Sequence, residues 1–284
     1  MAIFSNQATL TYNGIATNSN LAFGELLDVL AITKTAVEGT YTPDGLVAYV
    51  VTLRNTGTTP LADITLTDDL GGYVFDGTTV YPLAYEAGSV ALFVNGAPQP
   101  APAVTAGPPL VITGLTIPAG GDTVVVYQAR TTAFAPPLAE GTITNTVTAS
   151  GDGLSSDPTA SETVTVTAAA LLSITKSITP AQVVDNDRVT YTFVIQNRGN
   201  EEVLATDNAV ITDTFDPILT ALTVSYNGVA WTEGVQYTYN AVTGEFTTLP
   251  GALPVPAATF TQDPVTGAYT TTPGIATLVI SGTI

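Results

Sequence analysis

The apolar residues of this chain come in short runs of Val, Ile, Thr, Tyr and Phe, cut at short spacing by Gly, Pro, Asn and Asp. No stretch sustains the ~3.6-residue period of an amphipathic helix; alternation with period two dominates. Helix formers such as Lys, Arg, Gln and Met are scarce. This pattern predicts an all-β chain, most simply a sandwich. Its 284 residues allow one or two domains with sizeable cores. Alternation begins at once, in MAIFSNQATLTYNG, where Tyr12-Asn13-Gly14 reads as a hairpin turn. A strand placed that early needs a sheet to join.

An internal repeat sets the domain count. LAITKTAVEGTYTPDGLVAYVVTLRNTGTTPLADITLTDDL, residues 30–70, matches LSITKSITPAQVVDNDRVTYTFVIQNRGNEEVLATDNAVITDTF, residues 172–215. Both copies carry Ile-Thr-Lys, a Val-x-Tyr strand, an Asn-x-Gly turn (Asn55 to Gly57, Asn197 to Gly199) and a strand ending Thr-Asp. Copies this long are tandem domains rather than solenoid repeats. Two immunoglobulin-like β-sandwiches are expected: residues 1–30 as an N-terminal donor strand or hairpin and linker, 31–168 as a complete domain, and 169–284 as an incomplete one. Aligning Gly120 with Gly274 and Thr123 with Thr277 places Ile284 opposite Arg130, leaving residues 131–167 without a counterpart in the second copy. Those closing strands do match the N-terminus. TNTVTASGDG (144–153) pairs with SNQATLTYNG (5–14), with Asn145 over Asn6, Val147 over Ala8 and Gly153 over Gly14. The expectation is that Phe4, Ala8, Leu10 and Tyr12 form a donor strand that completes the second domain of a neighbouring subunit. Such head-to-tail strand addition does not close and yields a fibre.

Composition removes several function classes. The chain has no Cys and no His, which excludes disulfides, thiol catalysis, thiolate or imidazole metal sites and His-based acid–base chemistry. Six cations against 24 anions give a net charge of −18, so nucleic acid and anionic lipid are not expected partners. No apolar run is long enough to span a bilayer, and no signal-peptide pattern opens the chain. No metal and no cofactor is expected. The acidic pairs Asp152/Asp157 and Asp185/Asp187 lack the ligand spacing of a recognised calcium loop.

Strand alternation places polar residues on apolar faces. Lys34 shares a face with Leu30 and Ile32, Asp68 with Ile64 and Leu66, and Asn145 with Val147 and Ala149. Lys176 and Asp213 repeat the pattern, and Asn6 shares a face with Phe4, Ala8 and Leu10. Lys34 and Lys176 are the only lysines. Burial drives a lysine towards the neutral amine and an aspartate towards the acid. A neutral amine beside an acid and an Asn amide can form an isopeptide bond with loss of ammonia. The expected cross-links are Lys34–Asn145 within a chain, promoted by Asp68, and Lys176–Asn6 between chains, promoted by Asp213. Beyond this single autocatalytic turnover no enzyme activity is expected. A buried Lys–Asp ion pair hydrogen-bonded to Asn is the competing reading.

The Ile-Thr-Lys start, Asn-x-Gly turn, Thr-Asp strand and Asn-x-Val-Thr-Ala closing strand resemble the bacterial and archaeal surface-protein repeat called domain of unknown function 11. The resemblance covers roughly residues 30–167 and 171–284. It implies an extracellular, cell- or spore-surface location and a Lys–Asn isopeptide bond at Lys34 and Asn145. The absent closing Asn of the second copy fits a bond in trans. The sequence thus points to a self-assembling, pilus-like homopolymer of identical subunits. The alternative is a surface adhesin or carbohydrate-binding module, for which Trp231, near Tyr226, Tyr237 and Tyr239, is the candidate surface.

Overall fold

A computed structural model describes residues 2–284; Met1, the first residue of the expected donor segment, lies outside them. Strands dominate, and the only helical turn among the described residues is the 3₁₀ segment Ala205–Asp207. The chain divides into two compact units. The first contains the residues up to Pro136 with Gly141–Val166 and Val265–Gly267; the second contains Pro137–Glu140, Thr167–Pro264 and Ala268–Ile284.

Unit 1 is a sandwich of two six-stranded sheets. In the first, Leu30–Ala36 pairs with Leu46–Asn55, which pairs with Asp122–Thr131. In the second, Leu110–Ile117, Leu61–Asp68, Thr142–Ser150 and Thr159–Val166 lie side by side. Alternation builds the core. Val47, Tyr49, Val51 and Leu53 point inward from one strand, Val125, Tyr127 and Ala129 from its neighbour, and Ile64, Leu66, Ile143, Val147 and Ala149 from the opposite sheet. Burying each Val, Leu or Ile side chain is worth roughly 1.5–3 kcal/mol.

Unit 2 repeats the first sheet but only part of the second. Leu172–Thr179, Arg188–Asn197, Gly274–Thr283, Thr220–Tyr226 and Val229–Ala230 form five strands. The opposing sheet is Thr212–Thr214, Glu245–Thr248 and Tyr237–Asn240, and Thr259–Gln262 pairs with Tyr269–Thr272 as a separate hairpin. In unit 1 the Asp68 strand has a neighbour on each side; its counterpart, the Asp213 strand, pairs among the described residues only with Glu245–Thr248. Among the described residues, nothing in unit 2 takes the place of Thr142–Ser150 and Thr159–Val166.

One register expectation is corrected. Thr123 lies opposite Leu53 in unit 1, and the equivalent Ile195 lies opposite Ala276, not Thr277. Tyr127 therefore corresponds to Ile280, and Ile284 falls level with Thr131. A one-residue slip exchanges the two faces of a strand. Ala276, Leu278 and Ile280 are the buried series, which fixes the register the Gly and Thr identities had misplaced.

The N-terminal residues form an antiparallel ribbon. Ala2–Asn6 pairs with Ala22–Leu26, and Thr9–Tyr12 pairs with Ile15–Asn18. Asn13 (φ 50°) and Gly14 (φ 80°) make the tight turn, whose left-handed backbone matches strand twist. The expected single strand from Phe4 to Tyr12 is broken at Gln7 and Ala8. There the Ser19 hydroxyl accepts from the Ala8 amide (3.0 Å) and Gln7 donates to the Ser19 carbonyl (2.8 Å), beside one backbone bond from the Ser19 amide to the Ala8 carbonyl (2.8 Å). Among the described residues the ribbon strands pair only with one another. Ile3, Phe4, Leu10, Tyr12, Ile15 and Phe23 are all exposed.

Candidate functional site: a buried Lys–Asp–Asn cluster and its open counterpart

In unit 1, Lys34 and Asn145 come from opposite sheets, and Asp68 and Tyr127 join them. Lys34 Nζ donates to Asp68 Oδ2 at 2.5 Å, with side chains 0% and 3% exposed. The Tyr127 hydroxyl donates to the same carboxylate oxygen, and Asn145 Nδ2 donates to the Tyr127 oxygen at 3.4 Å. Asp68 Oδ1 accepts from the Leu70 amide (3.0 Å). The neighbouring Asp69 accepts from the Thr146 amide (2.9 Å), tying the Asn145 strand to the Asp68 strand.

Tyr49 and Tyr127 face each other across adjacent strands, ring centres 5.6 Å apart. Lys34 Nζ lies over the Tyr49 ring at 4.8 Å. Burial holds the Lys34 pKa below its usual value, against the opposing pull of Asp68. Burial likewise pushes both tyrosine hydroxyls up, so they remain protonated donors. The cluster therefore sets the Lys34 nitrogen beside a carboxyl group and close to a primary amide.

Sequence reasoning identified Lys34, Asp68 and Asn145, and the structure brings all three together. It did not single out Tyr49, Tyr127 or Asp69. Tyr49 did leave a signal: it is the tyrosine of the Val-x-Tyr strand, in phase with Val47 and Val51 and repeated as Tyr191.

Unit 2 builds the same start and leaves it uncovered. Lys176 Nζ bonds Asp213 Oδ2 and lies 4.6 Å from the Tyr191 ring centre. The Asn-x-Gly turns are also alike: the Gly57 and Gly199 amides each donate to the Asn side chain at 2.9 Å. Exposure differs sharply. The Lys176 and Asp213 side chains are 39% and 17% exposed. Leu172 is 47% exposed where Leu30 is 7%. The expectation that each unit buries its Lys and Asp is thus corrected for unit 2, because no strand covers that face. A groove of about 330 Å³ runs there, lined by Leu172, Ile174, Ile195, Val210, Ile211 and Val255 among others.

Asn6 lies on the ribbon, two residues beyond Phe4 and opposite Ala22. Asn145 likewise lies two residues beyond Ile143 and opposite Glu162. Within the described chain Asn6 is exposed, and no bond links it to Lys176. Gly24 faces Phe4, and a Cβ there would lie 2.2 Å from the ring, so glycine lets the ring cross the ribbon.

The aromatic surface considered for a carbohydrate site is largely internal. Trp231 stacks on Tyr226 at 5.0 Å, Tyr237 on Phe246 at 5.3 Å, and the Tyr239 hydroxyl donates to the Leu219 carbonyl. Among the described residues no acidic group could hold a metal ion, and no helix is long and apolar enough to cross a membrane.

No family model and no curated protein matches the chain. Among solved structures it is similar to a family 123 glycoside hydrolase from Clostridium perfringens, at 10% identity and TM-score 0.31 over 49% of this chain and 27% of that one. It is similar to the pilus backbone of Streptococcus pneumoniae, at 13% and 0.35 over 86% of this chain and 55% of the other. It is also similar to the collagen-binding domain of a Staphylococcus aureus adhesin, at 14% and 0.28 over 50% and 98%. The chain thus spans well under two thirds of the first two. Resemblance this distant carries no functional argument, and the reading below rests on the chain's own geometry.

Proposed function

We propose that this chain is the structural subunit of an extracellular homopolymer. The N-terminal ribbon of one copy occupies the open face of unit 2 in the next. Phe4, Ala8, Leu10 and Tyr12 serve as donor residues, and the added backbone continues the Asp213 sheet. Lys34–Asn145 closes unit 1 covalently, and Lys176–Asn6 locks successive subunits together. The carrying observation is a matched surplus and deficit. The Lys–Asp pair is built twice; it is sealed by an Asn-bearing hairpin in unit 1 and open in unit 2, while a second Asn-bearing hairpin stands unpartnered. A polymer sealed by amide bonds has no route of disassembly, which suits an appendage outside the cell.

Negative-stain microscopy of the 284-residue chain, with intact mass and boiled-detergent gels, tests this reading. Filaments, a detergent-resistant ladder and loss of one ammonia per bond are expected. A monomer of unreduced mass at high concentration would sink it.

A further inference from the structure

Among the described residues, the buried side-chain atoms without a hydrogen-bond partner are the Tyr49 hydroxyl and Asn145 Oδ1. One is a donor and the other an acceptor. Tyr49 stacks on Tyr127, whose oxygen accepts from Asn145 Nδ2, and lies under Lys34 Nζ; the Asn145 side chain draws the Tyr49 pKa down in opposition to burial. A buried polar atom left unpaired costs about 1–3 kcal/mol, so two of them at one site call for a reason. Tyr127 lies between the acid and the leaving group: it donates to Asp68 and accepts from Asn145 Nδ2.

We infer that Tyr49 and Tyr127 complete the bond-forming site, Tyr49 as donor to the oxygen of the tetrahedral adduct and Tyr127 as proton bridge from Asp68 to the departing nitrogen. This rests on the isopeptide reading. The step balances without a co-reactant. Within the ion pair, Nζ gives a proton to Asp68. The neutral amine attacks Asn145 Cγ, forming Nζ–Cγ while the carbonyl electron pair moves to Oδ1, which Tyr49 holds. Asp68 gives its proton to the Tyr127 oxygen as the Tyr127 proton passes to Nδ2. The electron pair returns from Oδ1, Cγ–Nδ2 breaks and ammonia leaves. The extra proton on Nζ goes back to Asp68. An amine and a primary amide have become a secondary amide and ammonia.

The repeat makes the assignment specific. Tyr49 pairs across strands with Tyr127; its counterpart Tyr191 pairs with Ile280. The open site keeps the oxyanion donor and lacks the bridge. Bond formation between subunits is therefore slower than closure of unit 1, which lets subunits fold before they lock.

The test is cell-free synthesis of the full chain, with intact mass followed in time for wild type, Tyr49→Phe and Tyr127→Phe. Both substitutions keep the ring and remove only the hydroxyl, and thermal melts verify folding. Loss of ammonia is expected to slow by about 10²-fold in each, the usual effect of deleting an oxyanion donor for Tyr49 and a proton-transfer group for Tyr127. Wild-type rates in both variants would overturn the assignment while leaving the bond intact. A folded wild type that never loses ammonia would overturn the bond reading itself. Tyr191→Phe, at a partly exposed position, gives a second measurement if the buried variants misfold. Its detergent-resistant ladder should grow more slowly while sedimentation shows unchanged assembly. A ladder at the wild-type rate would count against the assignment.

Discussion

Replacing Asn145 by Ala separates a covalent site from an ion pair. Without a bond, Asn145 makes one long contact to Tyr127 and leaves its carbonyl oxygen unpaired, so truncation removes one hydrogen bond, worth about 0.5–1.5 kcal/mol, and relieves the unpaired oxygen. With a bond, the variant also loses a cross-link closing a loop of about 110 residues, worth ~4.7 kcal/mol in the chain-entropy account. Lys34→Ala strands the Asp68 carboxylate in a dry site and costs about 3–5 kcal/mol even without a bond. Lys176→Ala removes a chemically equivalent pair that is half open to water, and in the monomer it should cost only about 0.2–1 kcal/mol. Urea melts of dilute monomer can follow the units apart. Trp231 is the only tryptophan, is stacked on Tyr226 in unit 2, and reports that unit by fluorescence. Near-UV circular dichroism adds the stacked Tyr49–Tyr127 pair of unit 1. Lys34→Ala and Asn145→Ala should shift the tyrosine transition and spare the tryptophan one, with the reverse and smaller effect for Lys176→Ala. An Asn145→Ala shift of about 1.5 kcal/mol or less, no more than one lost hydrogen bond accounts for, would refute the cross-link. An equally small Lys34→Ala shift would refute the burial argument itself.

Other outcomes follow from the same geometry. Leu172→Asp or Ile174→Asp changes a residue already exposed in the monomer, so the Trp231 melt should move by less than about 0.5 kcal/mol while filaments disappear from micrographs. Gly24→Val puts a side chain where the Phe4 ring lies; it should disrupt the ribbon and abolish assembly, measured by light scattering. In the unbonded Asn145→Ala variant, Lys34 has a folded pKa lowered from 10.5, so the unfolded chain binds a proton the folded chain does not. Its contribution to stability therefore rises with pH from the lowered value up to 10.5. The raised pKa values of Tyr49 and Tyr127 act oppositely, and their stability is lost as pH climbs past 10.0. Denaturant melts across that range should show a maximum, and a monotonic rise beyond it would contradict the tyrosine burial.

Features carried by neighbouring residues were legible in the sequence. Alternation alone placed Lys34, Asp68 and Asn145 on inward faces, and the Asn-x-Gly turns announced themselves in both copies. What depended on distant strands was harder. Tyr127 acquires its role from a strand pairing with Tyr49, and nothing local distinguishes it from the valines beside it. The register of Gly274–Thr283 was misread by one residue because Gly and Thr identities were matched instead of inward faces. That slip concealed that Ile280, rather than Ser281, stands where Tyr127 does. The break at Gln7 and Ala8 depends on Ser19 reaching across the ribbon, a contact no periodicity encodes.

The balance of forces at the open face argues that strand addition comes before covalent locking. The donor residues of the ribbon include exposed Phe4, Leu10 and Tyr12, and the groove offers Leu172, Ile174, Val210 and Ile211. Burying four such side chains contributes roughly 6–12 kcal/mol. Association costs an estimated 4–15 kcal/mol in lost freedom, and ladder hydrogen bonds add about 1 kcal/mol each. The difference is small, so strand addition alone should be reversible, and misplaced subunits can leave before the amide forms. Asn6→Ala isolates that first stage: it keeps the donor residues and removes the electrophile. Its filaments should form at high concentration, dissolve on dilution, and run as monomer in boiled detergent, whereas wild-type filaments persist through all three conditions. If Asn6→Ala filaments survive boiling in detergent, the lock is not at Asn6. If the variant never assembles, Asn6 contributes to docking itself and the two-stage order is wrong.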